Sequence, residues 1–184
     1  ASGKLITTIA LAESGANDVM RPTITGTIAG NKITLRGYKP AVPFAQHADL
    51  ALVPITLSDK SGEQLAIVIV DLRQPGVTVT SVKTTNHEPQ GNIDFDLTID
   101  IENLLGYGTD TDGREALRSV FEHSLTALAA LQVGVCEGSL AFVSTHLSSR
   151  FQFGKPLAAF QATTQRAADA YITTEAMRVT ALNA

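Results

Sequence analysis

The residues best suited to bind something lie close together between Arg150 and Gln161, in the run RFQFGKPLAAFQ. Arg150 offers a planar fork of donors that suits a phosphate or a carboxylate. Phe153-Gly154 is predicted to form a tight turn that lets backbone approach a ligand closely. Pro156 is expected to open a helix, since its fixed φ suits the first helical position. Gln161 then falls about one turn into that helix, on the side of Leu157. An arginine, the free amides of a helix start and a glutamine can together cradle a phosphorylated cofactor. The same residues also read as an interhelix loop with a surface arginine.

Other reactive side chains are dispersed. His47, His87, His123 and His146 show no ligand spacing, so no metal site is expected. Asp110-Thr111-Asp112-Gly113 lacks the remaining ligands of a calcium loop and reads as a cap before Arg114. Asp94, Asp96, Thr98 and Asp100 alternate with apolar residues, as on a solvated strand face. Neither a glycine-rich phosphate loop nor a nucleophile elbow is present. Cys136 lies in an apolar helical run and reads as a small buried hydrophobe. A single cysteine makes no internal disulfide, which fits a reducing, cytoplasmic setting.

The bulk composition narrows the classes. In 184 residues, 44% are hydrophobic and 17% charged, which is globular. A net charge of −4 offers no basic field for nucleic acid. No unbroken run reaches the roughly 18 apolar residues of a membrane span, and no secretory leader is visible. The start at Ala1-Ser2-Gly3 reads as an incomplete or processed chain.

The elements that must position these residues divide the chain in two. Residues 1–107 read as β-structure, with strands expected in Leu5–Leu11, Thr23–Ile28, Ile33–Leu35, Leu50–Leu57, Leu65–Leu72, Val77–Val82 and Asn92–Ile101. Gly30-Asn31 signals a hairpin. Pro54 argues for an edge position or a bulge. Ile67-Val68-Ile69-Val70 is apolar on both faces and reads as a central, doubly covered strand. Strands at this spacing indicate a barrel or sandwich. Residues 108–184 read as helix. Leu117, Val120, Phe121, Leu125, Leu128, Leu131 and Val135 form one stripe, interrupted by Gly134 and Gly138. Phe160, Ala167, Ala168, Ile172, Ala176 and Val179 form the packing side of a second helix. Two helices cannot bury both stripes on each other, so further helices or another subunit must cover them.

The spacing R-x-x-F-G-K-P-L-x-x-F-Q between two long helices resembles the acyl-CoA dehydrogenase signature. Ala10-Leu11-Ala12-Glu13, Gly37-Tyr38-Lys39, Ala48-Asp49, Pro75-Gly76-Val77 and Leu104-Leu105-Gly106 are similar to further family marks. The resemblance spans nearly the whole chain. It implies an α+β architecture: a β-barrel or sandwich middle domain, then long antiparallel helices of an incomplete four-helix-bundle domain. It also implies that Arg150, Gln152, Phe153 and Gln161 contact FAD across a subunit interface, with Leu157 and Phe160 lining the same surface.

The departures from the family cluster where the flavin ring would lie. The family's threonine-glutamate-proline run, followed by serine and aspartate, is here Ala12-Glu13-Ser14-Gly15-Ala16-Asn17-Asp18, with Asn17 in place of the serine. Ala41 stands where a tryptophan would cover the ring. Pro43 stands where a threonine would donate to the flavin, and proline brings neither a side-chain donor nor an N–H. A buried acceptor left unpaired there would cost about 1–3 kcal/mol. Lys39-Pro40-Ala41-Val42-Pro43 itself reads as a rigid extended loop. In the first helix, Leu125 occupies a position usually held by arginine. Ser124 stands where some branches carry the catalytic glutamate, and serine removes no α-proton without a partner base. The more common catalytic glutamate of the family falls beyond residue 184, so no catalytic residue is assigned.

The resemblance therefore implies a subunit of an FAD-dependent acyl-CoA dehydrogenase. A glutamate takes the α-proton of the acyl-CoA thioester, flavin accepts the β-hydride, and an electron-transfer flavoprotein takes the electrons. Donated FAD contacts with an eroded ring pocket resemble the heteromeric enzymes of bacterial steroid side-chain degradation, in which two unlike subunits share each site. A homotetramer that binds its own FAD and a non-redox acyl-CoA-binding or structural module are the alternatives.

Overall fold

The computed structural model describes residues 3–15, 18–59, 62–107 and 112–184. The readings of Ala16 and Asn17 and of Asp110-Thr111 lie outside the described residues. The chain divides into two compact units, Ala1–Ser119 and Val120–Ala184.

Seven strands build the first unit: β1 (Thr7–Ile9), β2 (Thr25–Ala29), β3 (Lys32–Pro43), β4 (Leu50–Asp59), β5 (Gly62–Asp71), β6 (Val77–Val82) and β7 (Gln90–Asp100). They form one mixed sheet. β5 flanks one edge of β4, while β1 and β2 share the other edge end to end, both parallel to β4. From β2 the sheet continues antiparallel through β3, β7 and β6. β2 and β3 meet in the expected hairpin, with Gly30 at φ 60°. Alternation along β7 sends Ile93, Phe95, Leu97 and Ile99 into the core against Ile33, Leu35, Ile55 and Leu57. Its other face is solvated, as expected. There Arg36 Nε lies 3.0 Å from Asp96 Oδ1 and Lys32 Nζ 2.7 Å from Asp100 Oδ1. Exposed pairs of this kind contribute about 0–1 kcal/mol each, so the buried face, not the charges, holds the sheet.

Three readings of this unit need correction. Pro54 is buried inside β4, neither at an edge nor in a bulge. Leu50 donates to Ile6 O at 3.2 Å, Leu52 O accepts from Ala10 at 2.9 Å, and Thr56 donates to Ile24 O at 2.8 Å. The even-numbered residues of β4 thus point their backbone groups at the β1/β2 edge. Pro54 faces the gap where β1 has ended and β2 has not begun, so its missing N–H interrupts no ladder. Next, β5 is an edge strand. Among the described residues, its free edge meets a bridge from Val68 to Leu104, a bond from Leu105 N–H to Ile67 O at 2.9 Å, and the close approach of Gly113 to Leu65 O. Both its faces are nonetheless covered: Val68 and Val70 join the main core, and Ile67 is buried outside it. Burial on both faces says nothing about pairing on both edges. Finally, Lys39–Pro43 is not a loop but the end of β3. The pairs Lys39↔Ile93 and Val42↔Gly91 bracket a bulge at Pro40-Ala41.

α1 (Gly113–Ser149) begins in the first unit, where Leu117 is fully buried, and continues into the second. Beyond it, α2 (Gln161–Leu182) returns antiparallel. The expected stripes hold only in part: Leu117 is buried, Val120 and Phe121 are half-buried at the start of α1, and Ala167 is half-buried on α2. Among the buried and half-buried positions along the seam between them are Ala129, Val133, Cys136, Leu140 and Leu147 on α1, and Thr163, Ala167, Thr174, Met177 and Ala181 on α2. Steps of three and four keep each set on one side at about 100° per residue. The predicted stripe residues Leu125, Leu128, Leu131 and Val135 are exposed, as are Ile172 and Val179. Each helix therefore carries a second apolar face, turned away from the seam. Cys136 is half-buried rather than buried, with Gln132 Nε2 at 3.6 Å from its sulfur.

By length and composition α1 is also apolar enough to cross a membrane, with a mean hydropathy of 1.5 over an 18-residue window. Serine, threonine and glycine interrupt the apolar run, which is why no unbroken stretch shows in the sequence. Ser124, Ser139 and Thr145 hydroxyls each bond the carbonyl four residues back, which satisfies them inside an apolar helix surface.

Candidate functional site

The end of the helical hairpin is built from Arg150 to Gln161. Phe151–Gln152 (β8) pairs antiparallel with Lys155–Pro156 (β9). Phe153 and Gly154 close the turn with φ of 53° and 77°. Both turn residues are left-handed, as a two-residue hairpin matched to strand twist requires. Gly154 adopts this freely, whereas a phenylalanine there is uncommon. Its ring is 92% exposed, so burial does not explain the strain. The ring meets Phe160 edge to face at 6.1 Å, and Lys155 Nζ sits 4.3 Å from the centre of the Phe160 ring. Lys155 went unnoticed in the sequence, because its contact with Phe160 arises only once the turn folds the two together.

The helix after the turn starts later than expected. Pro156 precedes a single 3₁₀ turn, Leu157–Ala159, rather than opening α2. Phe160 then adopts extended geometry, with φ −95° and ψ 120°, and Gln161 is the first residue of α2 instead of lying a turn inside it. The cause is local. Thr163 Oγ1 donates to Leu157 O at 2.6 Å and Phe160 O at 2.7 Å, and Thr164 Oγ1 donates to Ala158 O at 2.8 Å. These hydroxyls hold the carbonyls of the 3₁₀ turn outside the α-helical ladder. The N–H groups of the first turn of α2 are left at an end that favours an anion.

Arg150 lies at the same end. Its N–H donates to His146 O and its carbonyl accepts from Leu157 N–H, both at 2.9 Å. Its side chain is exposed and, among the described residues, makes no ion pair. Arg150, Gln152, Phe153, Leu157, Phe160 and Gln161 thus sit within one short β-turn-3₁₀ segment, with Leu157 and Phe160 half-buried and the others exposed. Along the end of β3, the Ala41 N–H is taken by Asn92 Oδ1 at 3.0 Å and the Phe44 N–H by Pro89 O at 2.8 Å. Pro43 has none to offer. In α1 the Ser124 hydroxyl is engaged by Val120 O at 2.7 Å, so it is not poised toward an incoming group. No group of three or more His, Cys, Asp or Glu side chains arranged for a metal occurs among the described residues.

A family profile described as "Acyl-CoA dehydrogenase, C-terminal domain" matches residues 111–184. Acyl-CoA dehydrogenase FadE27 of Mycobacterium tuberculosis is 32% identical over 183 residues, which is 97% of this chain and 44% of FadE27. The chain belongs to the acyl-CoA dehydrogenase family. It spans about half the length of the curated relatives it matches. A solved variant of the Tcur3481–Tcur3483 steroid acyl-CoA dehydrogenase is 34% identical, with a TM-score of 0.82 across 96% of this chain and 45% of that one. The ChsE4–ChsE5 complex of Mycobacterium tuberculosis is 28% identical, with a TM-score of 0.83 over the same shares. For this acyl-CoA dehydrogenase chain the α+β fold is the family's. α1 lies within the residues that the C-terminal-domain profile matches.

Proposed function

We propose that this chain is one subunit of a heteromeric, FAD-dependent acyl-CoA dehydrogenase, in which it grips the pyrophosphate and adenine end of an FAD held mainly by an unlike partner. Bound there, FAD would supply the hydride acceptor for α,β-dehydrogenation of an acyl-CoA thioester. Arg150 forms charge-assisted hydrogen bonds to the pyrophosphate. The amides at the start of α2 favour the same anion. Gln152 and Gln161 hydrogen-bond neighbouring polar atoms, while Phe153, Leu157 and Phe160 offer apolar contact. The observation that carries the reading is the exposed Arg150 without an ion pair, beside a left-handed turn and a helix start.

The chain's own residues fit the dinucleotide end of FAD and not its ring. Ala41 and Phe44 spend their N–H groups inside the sheet, and Pro43 has none. This asymmetry favours a shared site over a self-contained one. The two solved heteromer-like neighbours, one titled a steroid enzyme and the other a two-component complex, support a steroid-type acyl-CoA substrate and an unlike partner. An electron-transfer flavoprotein is the proposed electron acceptor, and the proposed setting is cytoplasmic, with no role for nucleic acid or membrane. The working division of the chain is a dehydrogenase β-domain at 1–107 and the start of the helical domain at 108–184.

Flavin stoichiometry tests this. Half an FAD per chain in a copurified pair, with none in the isolated chain, is the expected result. One FAD per chain in the isolated protein would instead establish the homotetramer with its own flavin. Arg150→Ala should weaken FAD retention in the complex by about 10- to 100-fold, the worth of a charge-assisted hydrogen bond of about 1.5–3 kcal/mol. Unchanged retention and activity would point to a non-redox module.

A further inference from the structure

Six of the seven ion pairs among the described residues have at least one partner well exposed to solvent; the pair of Glu13 and Lys39 does not. Their side chains are 3% and 0% exposed. Glu13 uses both oxygens, Oε1 toward Lys39 Nζ and Oε2 toward the Thr23 hydroxyl. Burial holds the Lys39 ammonium below its usual range, against the opposing pull of Glu13. For the lysine, burial is the larger of these two influences. A buried pair in that condition is a poor source of stability, and an apolar replacement of both partners is commonly tolerated.

Its location indicates what else it does. Glu13 belongs to the excursion between β1 and β2, of which residues 10–15 and 18–24 are described. Ala12, Ser14, Gly15, Asp18 and Arg21 of that excursion are exposed, while Ala10, Pro22 and Ile24 near its ends are buried. Near the far end Thr56 Oγ1 donates to Pro22 O at 2.9 Å, and the Ile24 side chain is buried in the core. Lys39 is the last regularly paired residue of β3 before the bulge at Pro40-Ala41. The pair thus crosses β2 in sequence and fastens the excursion, between its buried ends at Ala10 and at Pro22 and Ile24, to the irregular end of β3.

We propose that Glu13 and Lys39 are positioning residues that select a single placement of the β1–β2 excursion beside the β3 bulge. They do so without adding to the stability of the sheet. The claim concerns the chain alone and holds whether or not the FAD reading does. Hydrogen exchange on the 184-residue chain tests it, using Glu13→Met/Lys39→Met, which removes both charges and leaves unbranched apolar stems. Thermal stability equal to or above the parent is expected. Amides in 10–15 and 18–24 should exchange at least tenfold faster, with β4 unchanged. Unaltered exchange in the excursion overturns the proposal. So does loss of β4 protection, or failure of the double variant to fold, since either makes the pair a structural necessity. Lys39→Met alone strands a buried carboxylate. It should be less stable than the double variant, and the reverse order also overturns the proposal.

Discussion

Phe153→Asn separates what the turn does for the fold from what it offers a ligand. Phe153 holds φ 53° with its ring 92% exposed. A left-handed conformation costs a typical L-residue about 1–2 kcal/mol, and asparagine before glycine is among the sequences most suited to such a turn. Substitution recovers much of that cost. It also removes the edge-to-face contact with Phe160 at 6.1 Å, worth about 0.5–1.5 kcal/mol. The two terms nearly cancel. Unfolding stability in urea should stay within about 1 kcal/mol of the parent at unchanged slope, which for this length is a melting shift of about 4 °C or less. FAD retention by the assembled enzyme should fall, because the exposed ring is the part removed. A loss of more than about 2 kcal/mol from the isolated chain would refute the reasoning, by showing the ring to be a structural element.

Leu57→Ala removes a fully buried side chain from the main core and should cost about 2–5 kcal/mol, read from the denaturation midpoint. Gly76→Ala should also destabilise, by about 2 kcal/mol or more on the scale of strained backbone, since Gly76 has φ 88° and an added Cβ would overlap the Asp96 carbonyl. The check is thermal unfolding. The buried ammonium gives a pH prediction. Lys39 titrates below the ordinary 10.5 in the folded chain. Between that folded value and 10.5 the unfolded chain holds the additional proton, so this group makes stability rise with pH across that window. Denaturation curves in alkaline buffers should show a shallower rise for Glu13→Met/Lys39→Met than for the parent.

The strands were legible because alternation and turn chemistry act over a few residues. β7 shows it most plainly, with every second side chain buried from Gly91 to Ile99. What could not be read depended on where distant segments stop. Pro54 is tolerated because β1 and β2 leave a gap opposite it, and no local pattern reveals that gap. Ile67–Val70 shows that apolar faces fix burial but not edge pairing. At the candidate site, the cluster from Arg150 to Gln161 and the turn at Phe153-Gly154 were visible as residue types. The start of α2 was not, since two threonine hydroxyls three and four residues beyond Phe160 set it. The helix stripes were real apolar faces, and Ala167 of the second lies at the seam as expected, but the seam also took residues outside them, such as Ala129, Val133 and Thr174. Glu13 and Lys39 were visible only as family marks. Charges in otherwise apolar surroundings, 26 positions apart, become a pair only when the sheet brings them together.

The gap along β4 also bears on how this fold can change. β1 and β2 are each registered to β4 separately, at Leu50–Leu52 and at Thr56–Ser58. Neither takes its alignment from the other. Residues can therefore be gained or lost between them, as in a hinge pin set in two sleeves, without sliding either strand along the sheet. Relatives of different length in that interval can keep the same core.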